Sequence, residues 1–333
     1  MKLKSSLRLV AAVAAVAIFA GSAPVVAQDD GEKLEFNYVM HADPEGVFWN
    51  IVLLGMRDAC ADLDVDCLMI GSGGDNPKQL ANFQASVAAG VDGIVTTIID
   101  DNMFDRPVQD ALDAGIPVVS ANTDDAMGRD GNPRLAYIGS GLWQAAYDIA
   151  EGLSKHFPAE GPIHVLVGHS DVTQNFAIQR AAGITAFLDE FIAANPQREI
   201  TYDVIEVSND GSVVTSRVGA YLQARPETNA YVDCSIWHPQ VGQMLREQGR
   251  EAGEVVLGGF GAYDLAIEEI KSGWVAVTQD QGAYLQGYLP IVQLYLLTKG
   301  LPPFDVDTAG SLKGVVDKEV AETLSGLRVW KLQ

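Results

Sequence analysis

The sequence predicts an α/β protein built from two doubly wound parallel-sheet halves. Three observations lead there. Short apolar runs alternate with amphipathic helical stretches along nearly the whole chain. Short apolar strands separated by amphipathic helices imply parallel sheets covered on both faces. The number of such units exceeds one comfortable sheet, and 333 residues suit about two domains.

Residues 34–40 read as the first strand. Residues 48–63 place Trp49, Val52, Leu53, Met56, Ala59 and Leu63 on one side at helical spacing. Residues 67–70 form a short buried strand. Asn76-Pro77 opens a helix, a cap residue followed by a proline whose missing N–H costs nothing in the first turn. Strand 93–97, helix 105–114, strand 117–121 and strand 136–139 complete a first half. The pattern then restarts. Helices at 143–156, 176–191, 212–223, 239–248 and 264–271 alternate with strands at 164–167, 202–207, 230–233, 255–259 and 275–278, and a helix at 284–298 follows.

Residues 1–27 stand apart from this pattern and read as an export signal. Lys2, Lys4 and Arg8 give a positive start, residues 9–20 are apolar, and Val25-Val26-Ala27 offers small residues for a peptidase. The run is short of the roughly 20 residues a membrane span needs. Gly21 and Pro24 argue against a retained anchor, and no Cys follows to carry a lipid. A cleaved, exported product, resident in the periplasm, is expected.

Composition removes several classes. Lys and Arg total 22 against 44 Asp and Glu, a net charge of −22, which opposes sequence-independent nucleic-acid binding and docking on an anionic membrane. With 48% apolar residues the chain is not an acidic disordered polymer. Three cysteines cannot make a four-cysteine zinc site. Cys60 and Cys67 fall at a helix end and the next strand start, so they are either a disulfide or two buried thiols. Cys234 reads as a lone buried cysteine.

In doubly wound sheets, ligands bind beyond the carboxyl ends of the strands. Those ends carry His41 to Asn50 with Phe48-Trp49, then Asp100-Asp101, Asn122 to Asp124, Gly168 to Asp171, Asn209-Asp210, Asp233 to Trp237, Gly258 to Gly261 and Thr278 to Gln281. Aromatic faces among amides, hydroxyls and carboxylates complement a sugar or polyol, which offers C–H faces and hydroxyls that donate and accept. Catalytic alternatives lack their signatures. Gly168-His-Ser-Asp-Val172 has Val172 where a nucleophile elbow needs a second Gly. No Gly-x-Gly-x-x-Gly follows the first strand, and there is no phosphate loop. No metal cluster with ligand spacing accompanies His41, Asp43 and Glu45.

The signal, Phe48-Trp49, Asn76-Pro77-x-x-Leu80-Ala-Asn82, Arg180-x-x-Gly183 and Gln281-x-x-Tyr284-Leu-Gln-Gly-Tyr288 occur in an order that resembles the type I periplasmic solute-binding proteins of ABC transporters, the ribose/galactose-binding-like group. The resemblance spans about 36–301. It implies two halves joined by a three-segment hinge, one from 34–140 plus 279–302, the other from 141–278 plus 303–333. It also implies a non-catalytic monomer without cofactor that takes a monosaccharide or polyol to an inner-membrane permease. The alternative is a receptor reporting to a chemoreceptor or sensor kinase. A sugar-responsive repressor of the same fold would carry a DNA-binding unit where the signal stands.

By the same resemblance, Phe48 stacks on the ring, with Trp49 beside it or in the core. His41 is a small polar contact, and Asn122 grips a hydroxyl. Asp100 or Thr97 serves similarly, unless Asp100 and Asp101 cap the next helix. Arg180 holds hydroxyls or the ring oxygen by its planar fork, the rival being a surface ion pair. Asn175 stands nearby, and Ser235 or Trp237 falls where relatives have Asn. Gln281 matches a ligand and hinge position. Gly261 replaces a common Asp, a lost acceptor that Asp280 could supply.

Overall fold

The computed structural model describes residues 33–309 and 314–324. The expected export signal, 1–27, lies outside the described residues. The first half runs β1 (Glu35–Met40), α1 (Val47–Leu63), β2 (Asp66–Gly71), α2 (Asn76–Ala89), β3 (Gly93–Thr96), α3 (Asp105–Asp113), β4 (Val118–Ala121) and β5 (Ala136–Gly139). The second continues α4 (Leu142–Ser154), β6 (Ile163–His169), α5 (Asn175–Ala194), β7 (Ile200–Glu206), α6 (Gly211–Ala224), β8 (Ala230–Asp233), α7 (His238–Glu247), β9 (Val256–Phe260), α8 (Asp264–Ser272) and β10 (Val277–Gln279). Then come α9 (Ala283–Thr298), β11 (Val306–Asp307), β12 (Val315–Val316) and α10 (Lys318–Leu324).

Two six-stranded sheets result, ordered β11-β5-β4-β3-β1-β2 and β12-β10-β9-β8-β6-β7. All pairings are parallel except β10 with β12. In each half the order reverses beside the first strand, between β1 and β3 and again between β6 and β8, which opens a crevice at the carboxyl ends. The chain crosses between the sheets after β5, after β10 and after β11. The last crossing departs from the expected division. Residues 306–307 pair with β5 in the first sheet, so only β12 and α10 of the described C-terminal residues join the second. Two-residue strands carry no periodicity, and the Pro302-Pro303 stretch before them gives no sheet signal.

Each sheet is apolar on both faces because helices cover both. Phe36, Tyr38, Met40, Val52 and Met56 pack with Ile291 and Leu294 on one face of the first sheet, and Phe83, Ile94, Phe104 and Val108 on the other. The second sheet has matching layers around Val165, Val167 and Ile184, and around Leu166, Tyr231 and Leu257. α9 thus belongs to the first core although it follows the second sheet in sequence. It meets α1 backbone to backbone: a Cβ on Gly55 would lie 2.1 Å from the Tyr284 carbonyl oxygen, and one on Gly287 would overlap Val52. α2 begins as its sequence predicts, with the Asp75 carboxylate accepting from the Lys78 N–H at 2.9 Å. Cys60, in the last turn of α1, is disulfide-bonded to Cys67 in β2, with Cα atoms 6.2 Å apart. Cys234 is buried and free.

Candidate ligand-binding site

A cavity of about 220 Å³ lies at the carboxyl ends of both sheets. Its walls hold His41, Phe48, Trp49 and Asn122 from the first half, and Arg180, Ser235 and Trp237 from the second. Gln281 sits on the crossing into α9. Phe176, Asn209 and Ile236 line it as well. Among these three, Asn209 stands in the strand-end inventory but not among the expected contacts. Phe176 reads in the sequence only as the first apolar residue of a helix. The volume suits one small polar molecule and lies below the range typical of drug-sized ligands, roughly 300–1,000 Å³.

His41 follows β1 and is buried. Its ring lies nearly parallel to Phe176, centroids 5.8 Å apart, and edge-on to Trp49 at 5.4 Å. The Thr97 hydroxyl accepts from the His41 backbone N–H at 3.1 Å and from Gln79 Nε2 at 2.9 Å. Both acceptor sites are then filled, so its one proton goes to His41 Nδ1, 3.0 Å away. The imidazole therefore carries its own proton on Nε2, the donor it can offer the cavity. Burial, aided by the Arg180 charge, pulls its pKa down to about 4, so the ring is neutral at pH 7. Thr97 acts here through His41.

Asn122, just past β4, takes a left-handed conformation with φ 66°. A chain of fixed polarity holds it. The Gln281 backbone carbonyl accepts from Gln286 Nε2 at 2.7 Å, so Gln286 Oε1 faces the other way and accepts from Asn122 Nδ2 at 3.0 Å. Asn122 Oδ1 accepts from the Thr123 hydroxyl at 3.1 Å. Phe48 stands edge-on to Trp49 at 5.3 Å; Trp49 is buried in the first core and also meets the cavity.

Arg180 is only 4% exposed, which removes the surface ion-pair reading. It lies over the Phe260 ring, 3.9 Å from guanidinium carbon to centroid. One terminal nitrogen donates to the Cys234 carbonyl at 3.0 Å, the other to Gln281 Oε1, and the Nε–H is buried without a partner. No described carboxylate lies within ion-pair distance of it. Burial lowers its pKa to about 10, still far above neutrality. Ser235 donates to Asn209 Oδ1 at 2.8 Å. Trp237 packs against Gly211, where a Cβ would lie 2.6 Å from its ring, and its indole N–H is buried without a partner.

Three expected residues lie elsewhere. Asp100 caps the turn before α3, accepting from the N–H groups of Asn102 and Met103 at 2.9 Å each. Asp280 closes the turn into α9 by accepting from the Gly282 N–H at 2.9 Å. Neither faces the cavity, so Asp280 does not replace the acceptor missing at Gly261. That glycine has φ 89°, where a side chain is strained and a Cβ would press on Ile236 at 3.2 Å. Asn175 bridges the halves instead. Its backbone N–H donates to the Ile99 carbonyl at 2.9 Å and its Nδ2 to Asp101 at 2.6 Å.

A family model described as a periplasmic binding protein domain matches residues 36–302. The chain is a periplasmic binding protein of type I. Xylose/arabinose-binding protein XylF of Sulfolobus acidocaldarius is 29% identical over 294 residues, 80% of this chain and 71% of that protein. The periplasmic sugar-binding protein of an ABC sugar transporter from Legionella pneumophila is 25% identical, with TM-score 0.74 over 83% of this chain and 99% of that one. An ABC transporter periplasmic solute-binding protein from Actinobacillus succinogenes, solved with D-allose, shares the fold at TM-score 0.76 and 20% identity, covering 87% of this chain and all of that one (100%). In this binding protein, no helix among the described residues is long and apolar enough to cross a membrane. No described group of three His, Cys, Asp or Glu is placed to hold a metal ion.

Proposed function

We propose that the chain captures a monosaccharide or polyol in the cavity between the two sheets and delivers it, unchanged, to an ABC importer. One observation carries this: a buried guanidinium with an unused N–H faces a small cavity walled by Phe48, Trp49, Phe176 and Trp237. Aromatic faces cover the C–H surface of a ring, and directed N–H groups fix its oxygens. The contacts proposed are His41, Phe48, Trp49, Asn122, Arg180, Ser235, Trp237 and Gln281. The family match and the XylF likeness support the same reading. Export with cleavage after Ala27, and work as a monomer, complete it.

A thermal-shift screen of pentoses, hexoses, sugar acids and polyols tests capture, because a ligand that binds only the native state raises Tm. At least one compound should do so and should give an unchanged NMR spectrum after long incubation with the protein. New protein-dependent signals would point to catalysis instead. Deleting the gene should abolish uptake of that compound. Uptake retained, with a lost behavioural or transcriptional response, would favour the receptor reading over delivery.

A further inference from the structure

We infer that the cargo is the carboxylate form of a monosaccharide, an aldonate or uronate, rather than a neutral sugar; the inference rests on the capture reading above. The polarity of the cavity wall favours an anion. Arg180 is the one buried charged side chain lining it, and its hydrogen bonds go to a backbone carbonyl and an amide oxygen, both neutral. Its Nε–H has no acceptor.

Nearby carboxylates are turned away from this charge or lie outside the buried wall. Asp233 sits behind the wall, fully buried, and spends its oxygens on the backbone N–H groups of Ser235 and Trp237 at 2.9 and 2.6 Å. Asp171 is half-buried and accepts from the Thr173 N–H and hydroxyl, and Asp43, which lines the cavity, is solvent-exposed. Gly261 offers no side chain, and Asp280 and Asp100 face their own turns.

The neutral polar groups lean the same way. Gln281 Oε1 accepts from Arg180 and Asn122 Oδ1 from Thr123, while Asn122 gives one N–H to Gln286, which leaves Gln281 Nε2 and the second Asn122 N–H for the cavity. His41 adds Nε2–H through its tautomer. A neutral sugar donates through every hydroxyl, its ring oxygen alone carrying no proton, and each buried proton needs an acceptor. A carboxylate accepts only. It would satisfy several N–H groups and neutralise a guanidinium that burial has stripped of water.

Calorimetric titration of the mature full-length chain tests this with galacturonate, glucuronate, gluconate and xylonate, each beside its neutral parent sugar. At least one acid should bind tenfold or more tightly than its parent. Gln281→Glu sets a carboxylate on the guanidinium with almost no change of size. It should weaken the acid at least tenfold more than it weakens the parent. Arg180→Gln provides a second variant should Gln281→Glu fold poorly, and must abolish the preference. A parent sugar that binds as tightly as its acid overturns the inference while leaving sugar capture intact. An equal loss for both ligands in Gln281→Glu overturns it too, because geometry rather than charge would then be responsible. If neither acids, neutral sugars nor polyols bind, both readings fall.

Discussion

Arg134 in the first half and Arg180 in the second are equally buried, each 4% exposed, and are held in opposite ways. Arg134 forks onto Asp124 through two nitrogens and reaches Asp305 with a third, at 3.4 Å. Asp305 in turn accepts from the Tyr137 N–H at 2.8 Å, so the pair ties the chain before β11 to β5. Arg180 has no carboxylate in ion-pair contact, the buried Asp233 attracting it only from behind the wall, and keeps one N–H unused. The surroundings follow suit. The first half adds a disulfide, whereas the second adds a free buried cysteine, an unpartnered indole N–H and a histidine, His238, with neither ring nitrogen bonded. A buried charge whose counter-charge is built in serves the fold. One left without it leaves an unmet demand at the spot where a guest arrives.

The difference can be broken experimentally. Arg134→Met strands Asp124 as an unpaired buried carboxylate and should lower the unfolding free energy by about 3–5 kcal/mol in urea denaturation. Arg180→Met strands no ion-paired carboxylate, only the neutral acceptors on Cys234 and Gln281, so ligand-free stability should fall by no more than about 1–3 kcal/mol; a loss as large as that of Arg134→Met would erase the contrast. The same Arg180→Met should weaken ligand about a hundredfold by calorimetry. Two charge-assisted bonds at roughly 1.5 kcal/mol or more each account for that factor.

Cys60→Ser with Cys67→Ser should cost about 2–3 kcal/mol, the loop being short. Thiol counting in denaturant should find Cys234 alone in the exported wild type, and three thiols there would refute the bridge. A further effect concerns His238, whose pKa burial pulls down to about 3. The unfolded chain takes up the proton near pH 6.5 and the native one does not. The stability this histidine contributes is therefore full above about 6.5 and falls with pH toward 3, at up to about 1.4 kcal/mol per unit. His238→Leu should make the drop between pH 7.5 and 5 smaller by about 2 kcal/mol. His41, at about 4, adds to the same slope in the parent.

Most of this architecture is legible in the sequence because continuous apolar strands and one-sided helices leave strong local patterns. The boundaries fail where pattern fails, at β11, β12 and α10, in a stretch of two-residue strands behind two prolines. In the site, Arg180 and the aromatic pair are readable from spacing and likeness. What is not readable is whether a polar side chain at a strand end turns outward or serves its own turn. Asp100 and Asp280 look like acceptors for a guest, yet each is used within two or three residues by backbone N–H groups. Phe176 is invisible for the opposite reason: an apolar residue opening a helix looks like core until the other half is placed against it.

The close seating of α9 on α1 also has a consequence for synthesis. The first core needs Ile291 and Leu294, and β5 gains its outer neighbour only at 306–307, so the first half is incomplete until nine-tenths of the chain exists. Domains usually fold as they emerge, N-terminal first. Here the opening half completes its core only after the second half has been made. Moving the segment that encodes α9 to the front by circular permutation would remove that delay.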